Sequence, residues 1–178
     1  MQALLIIDMQ MDMQHRIDRG IDCVNPEAGS RITALAQAFR NRGAPVIHIR
    51  HHDLDRASSM HRDAAGYPPM PCDTAAPGEA IFDKTTSSAF ASTELAPWLR
   101  AQGIDALMVT GAVAGFCVTS TVRAGCDLGF SMTVVQDAVL GFGLPHAGQT
   151  AQAIFDVTMA LLAADFARMT TSAEVLAA

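Results

Sequence analysis

Apolar residues in this chain gather in short, continuous runs, and the stretches between them carry helix-like spacing. Residues 3–8, 45–50, 80–83, 106–111, 132–137 and 167–170 read as six strands. A half-exposed strand alternates apolar and polar positions. Runs without alternation, such as Leu4-Leu5-Ile6-Ile7, suit parallel strands buried on both faces.

The intervening segments carry helix start and stop signals. Asn25-Pro26-Glu27 supplies an N-cap, a first-turn proline and an early acidic residue; Ile32, Leu35, Ala36 and Phe39 then share one face, and Gly43 closes the helix. Further helices are expected over 92–101 with Gly103 behind it, from near Gly115 to Leu128 with Gly129 as its cap, and over 145–164. Strands alternating with helices predict an α/β fold around a six-stranded, mostly parallel, doubly wound sheet. Residues 1–178 contain no internal repeat and read as a single domain. The irregular stretch 51–78 holds Tyr67-Pro68-Pro69 and Pro71, too much proline for a core element, and reads as a loop covering a pocket or an interface.

Composition narrows the function. A chain of 178 residues that is 50% hydrophobic has enough apolar surface for a sizeable core. Only 17% of its residues are charged, the net charge is −6, and no Lys/Arg run is present, so a nucleic-acid surface is not expected. The apolar start meets Asp8 after five residues, well short of the roughly 20 that a membrane span needs. A cytoplasmic protein without membrane attachment is expected. Its four cysteines (Cys23, Cys72, Cys117 and Cys126) lack metal-finger spacing and are expected to be thiols.

In open parallel sheets, ligands bind beyond the carboxyl ends of the strands. Asp8 ends the first predicted strand, Lys84 follows the third, and Cys117 lies six residues past Gly111 at the end of the fourth. A carboxylate, an amine and a thiol thus reach one edge from three strands. Cys117 follows the small-residue turn Gly111-Ala112-Val113-Ala114-Gly115 at a helix start, where unpaired N–H groups and the helix dipole are expected to lower the thiol pKa and to supply an oxyanion hole. Taken singly, each group has an ordinary reading: a packed thiol, a loop-capping carboxylate, a solvated lysine. Cys126, inside the helix, keeps that ordinary reading. Phe90, Trp98 and Phe142 are read as core aromatics.

Five segments, in order, resemble the isochorismatase-like, nicotinamidase-related cysteine hydrolases: 4–10 around Asp8, 46–51, 82–90 around Lys84, 109–121 around Cys117, and 134–138. The resemblance implies a three-layer α/β/α, Rossmann-like fold and an Asp8–Lys84–Cys117 triad. It further implies a cis peptide at Ala112–Val113 and an oxyanion hole from the Val113 and Cys117 N–H groups. The implied chemistry is hydrolysis of a small-molecule amide-type C–N bond through a thioester, without a cofactor. It also implies a homo-oligomer: dimer, tetramer or octamer. Relatives that cleave a vinyl ether need no cysteine nucleophile, so Cys117 points away from that branch.

Departures bear on the substrate. Many relatives follow the opening Asp-x-Gln with Asn-Asp-Phe, where this chain has Met11-Asp12-Met13, and many carry threonine where it has Val113 and Ala114. Met13, Ala114 and Phe116 are the candidate pocket residues, and a less polar substrate group is expected. Nicotinamidases hold a metal through Asp-x-His; here Asp53-Leu54-Asp55 lacks the histidine, so no metal is expected, and His51, His52 and His61 read as solvated loop residues. The alternatives kept open are a nicotinamidase with an atypical metal site, a non-catalytic small-molecule-binding member of the fold, and a redox-sensing thiol protein.

Overall fold

The computed structural model describes residues 1–178. In chain order the elements are β1 (Gln2–Ile7), α1 (Met11–Asp18), β2 (Cys23–Val24), α2 (Ala28–Asn41), β3 (Val46–His51), β4 (Ala80–Lys84), α3 (Leu95–Ala101) and β5 (Ala106–Gly111). They continue with α4 (Thr119–Asp127), β6 (Ser131–Val139), β7 (Gly141–Phe142), α5 (Ala151–Asp165), β8 (Arg168–Thr170) and α6 (Ser172–Ala177).

Six strands form one sheet in the order β4-β3-β1-β5-β6-β8, every pair parallel. The chain winds outward from β1 in one direction, then returns and winds outward from β5 in the other. The strand order therefore reverses between β1 and β5, and a doubly wound sheet opens its binding crevice at such a reversal.

Both faces of the sheet are covered, which is why its strands lack alternation. Leu5, Ile7, Ile47, Ile49, Val109 and Val134 pack with Leu95 and Leu99 of α3, Val122 of α4, and Met159 and Leu162 of α5. On the other face Leu4, Ile6, Val46 and Val135 pack with Ile32, Leu35 and Phe39 of α2 and Val175 of α6. Each fully buried Leu or Ile stabilises the fold by about 1.5–3 kcal/mol, and β1 alone buries four in a row. The three-layer α/β/α expectation holds.

Several boundaries moved for local reasons. The expected helix 145–164 is a single 3₁₀ turn at Pro145–Ala147, stopped by Gly148 at φ 65°, and α5 begins afresh where the Thr150 side chain accepts from Ala153 N–H. The expected helix from Gly115 opens with one π-helical turn, Ala114–Val118, before α4. Two short helices, α1 and α6, were not anticipated; α6 is started by a capping box between Thr171 and Glu174. β2 and β7 form a small antiparallel ribbon.

Gly111, the last residue of β5, sits at the reversal with φ 115°, and a Cβ there would lie 2.1 Å from the Ile7 carbonyl oxygen. Only glycine lets the two central strands approach this closely while the chain turns toward Cys117.

Candidate active site

The three predicted residues converge. Asp8 leaves the end of β1 at φ 50°, a left-handed conformation that Asp tolerates better than most side chains. Lys84 is the last residue of β4, two strands away, and its fully buried side chain runs past β3 to reach the crevice. Its Nζ lies 2.8 Å from Asp8 Oδ2 and donates to Cys117 Sγ at 3.2 Å.

Cys117 stands in the π-helical turn, after a cis peptide between Ala112 and Val113. That turn is anchored by Ala112 N–H to Ile7 O at 2.7 Å and Ala114 N–H to Leu140 O at 2.8 Å. The Val113 N–H donates to no protein acceptor, and Val113 lines the crevice beside the sulfur.

The electrostatics differ from the expectation at Cys117. Burial and the neighbouring Asp8 carboxylate push the thiol up to about 12, with Lys84 pulling the other way. The dipole of one short turn does not offset the loss of water around the sulfur, so the resting group is a thiol. Burial also lifts the Asp8 carboxyl above its ordinary value, against the pull of Lys84.

His51 corrects the sequence reading. Rather than a solvated loop residue, it is the last residue of β3 and half-buried, and its Nδ1 lies 3.1 Å from Lys84 Nζ. Burial and the Lys84 charge lower its pKa, so the ring is neutral near pH 7, accepting the lysine N–H at Nδ1. Asp8, His51 and Cys117 offer polar atoms that all lie within 4.8 Å of one another. His52 and His61 lie in the loop after β3, with their rings 5.6 Å apart.

A cleft of about 250 Å³ opens onto this cluster. Met13 and Phe116 line it as expected. Ala114 does not: it is the first residue of the turn and fully buried in the core. Four lining residues had no role in the sequence reading: Arg16 and Asp12 of α1, Met60 of the loop after β3, and Ser87 after β4. Phe90 stacks on Phe130 and Trp98 packs edge-on to Phe82, as core aromatics do; Phe142 is buried beneath the Arg16 guanidinium.

Gln10 holds the long loop over the site. It is fully buried, accepts from His51 N–H at 2.7 Å, and donates from Nε2 to His51 O at 3.0 Å and Tyr67 O at 2.8 Å. Pro68 O and Gly66 O accept the first N–H groups of α1. Gln10→Ala is expected to remove the side-chain partner of three partly buried backbone groups, at about 1–3 kcal/mol for each group that water cannot reach. Denaturant unfolding and limited proteolysis across 52–79 check this: the variant should lose about 2–4 kcal/mol and be cut sooner in the loop. Unchanged stability with faster cutting would assign Gln10 to the loop alone.

The Isochorismatase domain family model matches residues 2–174. The chain belongs to that family. An isochorismatase-family structure from Chromobacterium violaceum superposes with a TM-score of 0.91 and 32% identity, covering 99% of this chain and 92% of its own. The isochorismatase family protein YrdC of Bacillus subtilis is 27% identical over 98% of this chain and 94% of its own length. Maleamate amidohydrolase of Pseudomonas putida is 33% identical, covering 87% of this chain and 78% of its own length. Family members thus include an amidohydrolase that acts on a non-peptide C–N bond. No helix of the chain is long and apolar enough to cross a membrane.

Proposed function

We propose that residues 1–178 form one hydrolase domain that cleaves an amide-type C–N bond of a small molecule through a thioester on Cys117. The observation that carries this reading is the contact of one buried lysine nitrogen with both the candidate base, at 2.8 Å, and the candidate nucleophile, at 3.2 Å. Asp8 and Cys117 together host one negative charge beside that ammonium. Moving a proton from sulfur to carboxylate relocates the charge within the pocket without burying a new one. Much of the desolvation that raises both groups therefore cancels in the transfer.

The thiolate attacks the amide carbonyl carbon, and the carbonyl π pair moves to oxygen. The free Val113 N–H, with the Cys117 N–H, meets the oxyanion. Collapse breaks the C–N bond, and the proton held by Asp8 leaves with the amine or ammonia. Asp8 then takes a proton from water, hydroxide adds to the thioester, and the acid departs as Cys117 recovers its proton.

A metal-dependent nicotinamidase reading fits this cluster poorly. The position among Asp8, His51 and Cys117 that a cation would take is filled by Lys84 Nζ, 2.8–3.2 Å from all three. A redox sensor uses a thiolate at rest, whereas burial and the neighbouring Asp8 carboxylate push the Cys117 thiol the other way.

Acid-quenched turnover of a reactive small amide, followed by mass spectrometry of the Cys117 peptide, tests the reading. An acyl adduct on that peptide is expected; steady hydrolysis with no adduct under single-turnover conditions argues against it. The pH profile adds a second check. Asp8 must be ionised to act and its pKa is raised, so kcat/KM should climb with pH to a midpoint above the ordinary carboxylate value of about 4. A midpoint at or below that value would remove Asp8 as the base.

A further inference from the structure

A second cluster of charges lies away from the cleft, and the reaction scheme makes no use of it. His48 of β3 and Asp73, the last residue of the 3₁₀ turn Pro71–Asp73, are both fully buried. His48 Nδ1 lies 2.5 Å from Asp73 Oδ1, and its Nε2 lies 3.0 Å from Glu79 Oε2. A neutral imidazole has one N–H and one lone pair, so it can donate to only one of two carboxylates and turns its lone pair against the other. Both contacts are satisfied together only by the imidazolium, which donates from both nitrogens.

The surrounding groups favour that form. Ile6 and Ile81, the register neighbours of His48 in β1 and β4, carry no charge. Arg40 of α2 grips Glu79 through two bonds of 2.7 and 2.8 Å, and Ala76 N–H donates to the same carboxylate at 2.6 Å. Arg50 Nε stops 3.9 Å from Asp73 Oδ2, too far for a hydrogen bond, and both atoms are buried without another partner. His48 is thus the one hydrogen-bond partner of the Asp73 carboxylate. Burial works against a charged His48, but the two carboxylates outweigh it and its pKa is raised. Burial, with a smaller push from Asp8, lifts Asp73 against the pull of His48 and Arg50. The burial of Glu79 is outweighed by Arg40, the Ala76 N–H and His48, which hold it down to about 2. Cys72, beside Asp73 in the turn, is pushed up by burial to about 12 and stays a thiol.

What this cluster holds is the return path of the loop over the active site. Met70, just before the turn, donates its N–H to Met9 O at 2.8 Å, and Pro69 bridges to Gln10, so the path runs beside the residues that follow Asp8. At its other end Glu79 leads directly into β4, which carries Lys84. Met60 of the same loop lines the cleft.

We propose that His48 is a proton-operated latch: its imidazolium ties residues 73 and 79 to β3, and loss of one ring proton releases one tie and loosens the loop over the cleft. The latch does not depend on which bond the enzyme cleaves. A histidine whose pKa is raised by folding contributes stability that is full below its unfolded value of about 6.5 and is lost as pH climbs through the folded value. The loop is therefore held below that folded value and freed above it. On the acid side the tie to Asp73 weakens again, once that raised carboxyl takes up a proton.

Carbon-13 NMR of the histidine rings, with the His48 signal assigned by its absence from His48→Gln, reads the proton directly. His48 is expected to titrate above the ordinary value of about 6.5. Limited proteolysis across 52–79, with each rate divided by that for an unstructured peptide at the same pH, should accelerate through the same midpoint while the far-UV circular dichroism stays unchanged. His48→Gln has no ring proton to lose, so its loop should be cut fast at every pH across that range. Glu79→Gln removes one of the two charges facing the ring and keeps the histidine; it should move both midpoints down by about one pH unit or more. It also decides the matter if His48→Gln does not fold. A His48 ring that is neutral at pH 6.5, or wild-type cutting that stays flat through the His48 midpoint, would overturn the latch. With a cleaved amide in hand, KM should rise through the same midpoint; a KM that stays constant there would overturn the link between latch and cleft while leaving the hydrolase reading intact.

Discussion

Replacing Cys117 by alanine is expected to abolish amide turnover, a loss of roughly 10⁴- to 10⁶-fold in kcat, because Cys117 is the one thiol lining the crevice and the reaction has no equivalent path through water. Asp8→Asn should cost a comparable factor for a different reason. Asparagine keeps the shape at φ 50° but cannot take a proton from a thiol pushed up to about 12. The two losses should not add, since the base exists to activate the nucleophile and is idle without it. Steady-state kinetics of both single variants and the double, with far-UV and near-UV circular dichroism to verify folding, provide the check. Near wild-type turnover by either single variant would sink the triad mechanism. Multiplicative losses in the double would mean that Asp8 acts independently of Cys117.

The second large effect is expected at Lys84, and there stability and activity move together. The side chain is fully buried, and its Nζ contacts Asp8, His51 and Cys117. Lys84→Met preserves volume but strands the Asp8 carboxylate in a site whose other oxygen, Oδ1, already lacks a partner. Breaking a buried ion pair from one side costs about 3–5 kcal/mol, and at roughly 2–4 °C per kcal/mol for a chain of this size the melting temperature should drop by about 10 °C. Part of that loss is relieved if Asp8 takes up a proton, a course its raised pKa already favours. Adding Asp8→Asn to Lys84→Met removes the stranded charge and should recover most of the stability while leaving the protein inactive. Calorimetric melting of wild type, the single variant and the double decides it. A Lys84→Met protein as stable as wild type would show that the lysine charge contributes nothing net to folding.

Much of the architecture was legible because it depends on local, repeating features. Unbroken apolar runs such as Leu4-Leu5-Ile6-Ile7 mark strands covered on both faces, and β1 lies between two packed layers. The helix signals around Asn25-Pro26-Glu27 and Gly43 belong to single turns of chain, and α2 follows them to within a few residues. The short α1 was illegible for the opposite reason. Within 11–18 only Asp12 and Met13 are buried, so it carries little of the periodic apolar stripe by which a helix is recognised.

The candidate site divides along the same line. Asp8, Lys84 and Cys117 could be singled out from the sequence because each ends a strand or follows one closely, and parallel strands all end at one edge. The identity of the three converging groups was therefore set by residue type and position along the chain. Their electrostatic state was not. The thiol was expected to be acidic at a helix start, and burial reversed that, because the energy of a charge depends on the water removed from around it. His51 and Arg16 escaped for a related reason. His51 meets Lys84 only because β3 lies between β1 and β4. Arg16 joins the cleft only because α1 folds back along the crevice with Asp12 and Phe142 orienting its fork. The sequence by itself determined the layered sheet and the three groups at its edge. Strand order, burial and loop packing decided which neighbours those groups have, what protons they hold, and what shape of molecule they face.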